Sequence, residues 1–214
     1  MSTTPADITR FGYRCGLLAA LATAAFAVIQ AAQVLGLLRF PLDEILIYGS
    51  SLLIVVPFFL EMLAFHHLTK PSEQFWTHGA LLLTVIYAVF VVANYVVQLA
   101  TVIPAKLGGT AETLAMLEQT PHSLFWDFDA IGYIAMGLAA LIAMPALENS
   151  GFERRVRWSF AAHALVTPLI AFVYFYPGFS NTLLLLGSPW AITAPLFMTL
   201  LALALRRRTA RIRA

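Results

Sequence analysis

The chain has 214 residues, of which 60% are hydrophobic and only 11% charged, with a formal net charge of +2. Its mean hydropathy is +0.82. Soluble domains carry about 25% charged residues, so this composition lacks the charge to cover a water-facing surface and points to an integral membrane protein.

A helix crossing the hydrocarbon needs roughly 20 mostly apolar residues, and six segments reach that length. The first expected span covers residues 16–38. Its apolar run is too long for a signal-peptide core and has no convincing small-residue cleavage site, so it reads as a retained helix. Cys15 stands at its start, the only cysteine of the chain, with no partner for a disulfide and no companions for a metal or nucleophile site. Gln30 and Gln33, three residues apart, share one helix face near its other end.

The second span is expected over 46–66 and carries Pro57 and an isolated Glu61. His66 and His67 follow. Adjacent helical residues point about 100° apart, so these two do not chelate one metal, and with His78 they read as interfacial histidines. The third span, 79–103, places Asn94 and Gln98 four apart on one face. The long connector 104–122 contains Gly108-Gly109, after which Thr110 is expected to cap a short interfacial helix reaching Gln119. Such a segment serves as an ordinary surface connector or as a lid. Thr120-Pro121 then reads as N-cap and first residue of the fourth helix.

The fourth span, 124–147, carries the strongest polar pattern. Trp126, Asp129 and Tyr133 follow three-and-four spacing and share a face, whereas Asp127 points about 200° away from Asp129. A two-carboxylate catalytic pair is therefore not expected. The fifth span, 158–176, brings His163, Pro168 and Tyr174. Ser188-Pro189 reads as the cap and first turn of a sixth span over 183–205, followed by Arg206-Arg207-Arg208, Arg211 and Arg213.

Lysine and arginine fix the expected orientation. Eleven of the 13 lie in the two terminal segments and the connections on their side; only Arg39 and Lys106 lie on the other. Six spans with both termini in the cytoplasm, in a bacterial-type inner membrane, follow from that bias. The arginine tail is then an anchor for anionic membrane lipid, not a nucleic-acid patch, since no aromatic or motif context accompanies it.

Threading the six spans through a membrane sorts polar residues by depth. Gln30, Gln33, Asn94, Gln98, Trp126, Asp129 and Tyr133 fall in the outer half, because polar faces turn inward away from lipid. They are the expected lining of an outward-facing pocket for a small amphipathic or aromatic ligand, with Trp126 as a stacking wall. Trp190 and Tyr176 read as belt aromatics at the headgroup level. In the inner half, Glu61 and His163 each stand about five residues from the basic interface, roughly 7–8 Å deep, and are expected as a proton-sharing pair if they meet.

No catalytic signature is present: no phosphate loop, zinc-protease motif or nucleophile elbow. No cofactor or metal is expected. Haem would need facing axial histidines deep in the bundle, and no lysine within a span is available for a retinal Schiff base. The leading expectation is a sensor, accessory protein or transporter that binds a small molecule. An intramembrane enzyme using Asp129 or Glu61 and His163 for proton transfer is the alternative, and a structural subunit the third.

The second half, from Phe128-Asp129-Ala130-Ile131-Gly132-Tyr133 through Tyr174-Phe175-Tyr176-Pro177 to the last span, resembles small bacterial six-helix membrane proteins known only as domains of unknown function. The resemblance covers about half the chain. It implies a six-helix bundle and carries no mechanism.

Overall fold

The computed structural model describes residues 4–213; the side chains of Ala111, Thr113 and residues 209–213 lie outside the description, and with them the expected lipid contacts of Arg211 and Arg213. The only regular secondary structure among the described residues is helical, without a strand. Six helices are long and apolar enough to cross a membrane.

The first is α1 (Pro5–Val34), three turns longer at its start than the hydrophobic run alone suggests. Polar chemistry explains the extension. Thr4 accepts a hydrogen bond from the Asp7 amide at 3.3 Å, and the Asp7 carboxylate accepts from the Thr4 amide at 3.3 Å, a reciprocal capping box with Pro5 in the first turn. The helix stops short of the expected Leu38 because Gly36 adopts φ 70° and the amides of Gly36 and Leu37 turn back to Gln33 and Ala32.

Next come α2 (Leu42–His67) and α3 (Gln74–Val97). Beyond α3 the helix continues through a five-residue π turn, Gln98–Val102, into the short α4 (Ile103–Leu107). The connector folds as a 3₁₀ turn, Ala111–Leu117, without the side-chain cap expected of Thr110; its hydroxyl donates instead to the Ala105 carbonyl at 3.4 Å. The fourth crossing helix, α5 (Leu124–Ala143), is capped by Ser123, not Thr120: the Ser123 hydroxyl accepts from the Trp126 amide at 3.2 Å. After α6 (Gly151–Phe175) and a single turn, α7 (Asn181–Leu184), a 3₁₀ turn at Leu185–Gly187 runs straight through Ser188 into α8 (Trp190–Arg213). Ser188 is helical in conformation, so it does not act as the expected cap.

Each long helix packs on its neighbour in sequence, and α8 returns to pack on α1, so the six form a closed ring. Short connections between antiparallel helices produce such neighbours. Close approach is made by small residues. A Cβ on Gly137 would collide with Thr167 of α6, and one on Gly132 would stand 2.7 Å from the Val91 side chain of α3. The α5 helix is the most enclosed, 56% buried over its apolar window against 28% for α1.

The axis of the ring is filled by aromatic side chains. Phe58 meets Tyr87 and Phe197 edge-on at 5.7 Å, and Phe197 meets Phe160 at 5.2 Å. At one end, which we term the basic end, the start of α1 meets the end of α8: Arg206 donates to the Tyr13 hydroxyl at 3.3 Å. There Arg208 pairs with Glu153 at 2.8 Å and Lys70 with Glu148 at 3.1 Å. Arg208 thus joins α8 to α6, a role that its place in the arginine tail did not suggest.

Candidate functional site

At the end opposite the basic one, the ring opens into a cavity of about 660 Å³. Its floor is built around Asp129, which α5 holds at 5% exposure. An isolated buried carboxylate costs several kcal/mol, so its partners matter. Three donors converge on it: the Tyr95 hydroxyl at 2.6 Å and the Asn94 amide at 3.3 Å on Oδ1, and the Tyr174 hydroxyl on Oδ2. Tyr95 spends its only proton on Asp129, so the Tyr133 hydroxyl, 3.0 Å away, donates to Tyr95. The result is a directed chain from Tyr133 through Tyr95 to Asp129, closed by Tyr174 from the other side.

The walls are aromatic. Trp126 lies over Tyr174 with ring centres 4.5 Å apart, and its indole N–H donates to the Tyr174 carbonyl at 3.4 Å. Tyr48 stacks on Tyr95 at 5.3 Å. Trp190 meets Tyr133 at 5.0 Å and Phe26 at 5.5 Å, both edge-on. Trp190 is 6% exposed and lines the cavity, which corrects its expected place in an outer aromatic belt. Tyr176 is half-exposed and does not border the cavity.

Of the seven residues expected to line the pocket, Asp129, Tyr133, Trp126, Gln30 and Gln33 border the cavity. Asn94 and Gln98 do not; they stand behind it and hold its other parts. Asn94 bridges Asp129 and the Gln119 side chain at 3.1 Å, while Gln98 donates to the Leu117 carbonyl at 2.7 Å and accepts from the Gln119 amide at 3.2 Å. Both residues therefore tie the connector into the bundle. The π turn beginning at Gln98 is where that tie is made. Gln30 donates to Gln33 at 3.0 Å, and Gln33 donates on to Asp43 at the start of α2 at 3.0 Å.

Lys106 fastens the connector from above. It pairs with Glu44 of α2 at 2.9 Å and with Glu118 of the connector. Gln119, which borders the cavity, escapes a reading of the sequence because it lies in irregular chain beyond the 3₁₀ turn, where no periodicity reveals an inward side. Tyr174, Tyr48 and Trp190 were assignable to this depth, but their azimuth depends on how α2, α6 and α8 are turned in the ring.

The second constellation does not assemble. Glu61 is fully buried where α2 meets α1 and α8; a Cβ on Gly16 would collide with its carboxyl group and with Ala202. Neither carboxyl oxygen has a hydrogen-bond partner. His163 places Nδ1 3.1 Å from the Thr193 hydroxyl, and its ring lies 4.6 Å from that of Phe197. No hydrogen bond or ion pair joins Glu61 to His163. The reason is helix length: Glu61 stands six residues from the end of α2, but α6 begins at Gly151, twelve residues before His163. Their depths therefore differ by about 9 Å. His66 meets Thr77 at 2.8 Å and the His78 ring at 5.6 Å, and no group of three metal-ligating side chains occurs among the described residues.

The sequence matches no protein-family model. Neither a curated protein nor a solved structure proves significantly similar to it.

Proposed function

We propose that this is a multi-pass protein of a bacterial-type cytoplasmic membrane, with both termini in the cytoplasm, that receives a small amphipathic or aromatic ligand from outside in the Asp129 pocket. Membrane residence is supported by six long apolar helices and by large apolar side chains left exposed along them, such as Leu21, Val28, Leu53, Leu165 and Ile192. The orientation is supported by the clustering of Lys and Arg at the basic end.

One observation carries the functional reading: a buried carboxyl group, held by three directed donors, opens into a cavity of about 660 Å³. That volume falls within the range of roughly 300–1,000 Å³ typical of small-molecule sites, which combine apolar walls with a few convergent polar groups. Behind Tyr133, which borders the cavity, the buried rings of Tyr87, Phe58 and Phe197 are in successive contact. This supports reception at one face, as in a sensor or accessory protein, over an open path. The arm of the proton-transfer alternative that needs Glu61 and His163 to share a proton loses support, because no hydrogen bond or ion pair joins them; the arm that uses Asp129 is unaffected.

The reading is tested by titrating the purified chain with phenethylamine, 2-phenylethanol and 3-phenylpropanoate, followed by tryptophan fluorescence against a detergent blank. At least one probe is expected to bind saturably, and Asp129→Asn or Tyr133→Phe is expected to change that binding. Identical binding in the wild type and both variants overturns the pocket.

A further inference from the structure

We propose that the pocket selects organic cations: a protonated amine or quaternary ammonium group on an apolar or aromatic body. The inference rests on the pocket reading above and adds the charge of its ligand.

The charge inventory comes first. Two carboxylates, Asp129 and Glu44, border the cavity, and no lysine or arginine does. Glu44 is already paired, with Lys106 at 2.9 Å. Asp129 is not. Its partners are neutral, the phenols of Tyr95 and Tyr174 and the amides of Asn94 and Gln119, and no ion pair to it occurs among the described residues. Buried charges inside helix bundles pair with an opposite charge or mark the site where one arrives.

Hydrogen-bonding capacity points the same way. A carboxylate offers about four acceptor positions and no donor. On Asp129, Oδ1 receives Tyr95 and Asn94 and Oδ2 receives Tyr174, with the Gln119 amide beside them, so every donor that reaches the carboxylate is neutral. The phenolic protons of Tyr95, Tyr133 and Tyr174 are all committed towards Asp129, so these hydroxyls meet a ligand as acceptors. The indole N–H of Trp190 is an unpaired but neutral donor among the lining side chains, and no lysine or arginine borders the cavity, so an anion finds no counter-charge there.

The walls complete the match. Rings of Phe26, Tyr48, Trp126, Tyr174 and Trp190 border the same space as the carboxylate. The negative faces of aromatic rings attract a cation, and a carboxylate within an aromatic enclosure is a general solution for ammonium recognition. An anionic ligand of the same shape would meet an uncompensated like charge and lose affinity.

The three phenyl probes share a ring and a short chain and differ in charge. At pH 7, phenethylamine is expected to bind at least about tenfold tighter than 2-phenylethanol, with 3-phenylpropanoate weaker than both. Asp129→Asn should bring the amine-to-alcohol ratio close to one while alcohol binding persists. Trp126→Leu, which removes none of the donors to Asp129, should lower amine affinity more than alcohol affinity and serves if Asp129→Asn does not fold. Equal or tighter binding of the alcohol or the propanoate overturns cation selection and leaves the pocket standing. Saturable binding of none of the three overturns both.

Discussion

Asp129 and Glu61 are both buried carboxylic acids, and their surroundings are opposite. Asp129 receives three hydrogen bonds, whereas Glu61 receives none and is enclosed by Gly16 and Ala202. A hydrogen bond to a charged group contributes about 1.5–3 kcal/mol, so Tyr95→Phe should destabilise the fold by an amount of that order. An unpartnered buried polar group replaced by an apolar one of similar volume is neutral or stabilising. Glu61→Met is therefore expected to leave the thermal midpoint in detergent unchanged or raise it. A fall as large as that of Tyr95→Phe would mean that Glu61 carries an interaction beyond its packing. At this scale the sequence told part of the story. Trp126, Asp129 and Tyr133 were readable as one face because they share a helix. Tyr95, Tyr174 and Trp190 were not readable as their partners, because three other turns of backbone decide which way they point.

Between elements, contact depends on missing side chains and on one cation. Gly132 lies where α5 crosses α3, three residues from Asp129 and facing Val91. Gly132→Leu would force the two helices apart and separate Asp129 from Tyr95; overpacking of this kind costs about 1–3 kcal/mol. The connector is held by Lys106 through Glu44 and Glu118, with one-fifth of the lysine side chain exposed. Partial exposure limits such a network to about 1 kcal/mol. Lys106→Ala is expected to leave global stability nearly unchanged while hydrogen exchange across residues 111–119 accelerates several-fold. Exchange rates equal to those of the wild type would show that Gln98 and Asn94 suffice to hold the segment. The spans themselves were legible from hydrophobicity, since 20 apolar residues have few alternatives. Their ends were not. The capping box at Thr4 lengthened α1, Gly36 shortened it, and Gly151 started α6 early enough to carry His163 away from the level of Glu61. These are decisions of single polar groups and dihedral angles, invisible to an average over a window.

Over the whole molecule, the ring of six antiparallel helices sets one polarity, with the cavity at one end and paired arginines at the other. In cells, an impermeant maleimide should label Glu112→Cys from outside and label Ser72→Cys only after lysis, in a background where the buried native Cys15 stays unreactive. The opposite pattern would invert the proposed orientation. The closed ring also bears on the order of assembly. Five of its seams join helices that follow one another in the chain and close across a single connection each. The sixth, α1 against α8, joins residues such as Thr23 and Met198, 175 positions apart. Loop-closure entropy places that seam last. Phe26 and Trp190, in edge-on contact at 5.5 Å, stand on its two sides and both border the cavity. The cavity thus comes into being with the final helix, and on the proposed reading a ligand held there would clasp the latest-formed junction of the chain and slow its reopening.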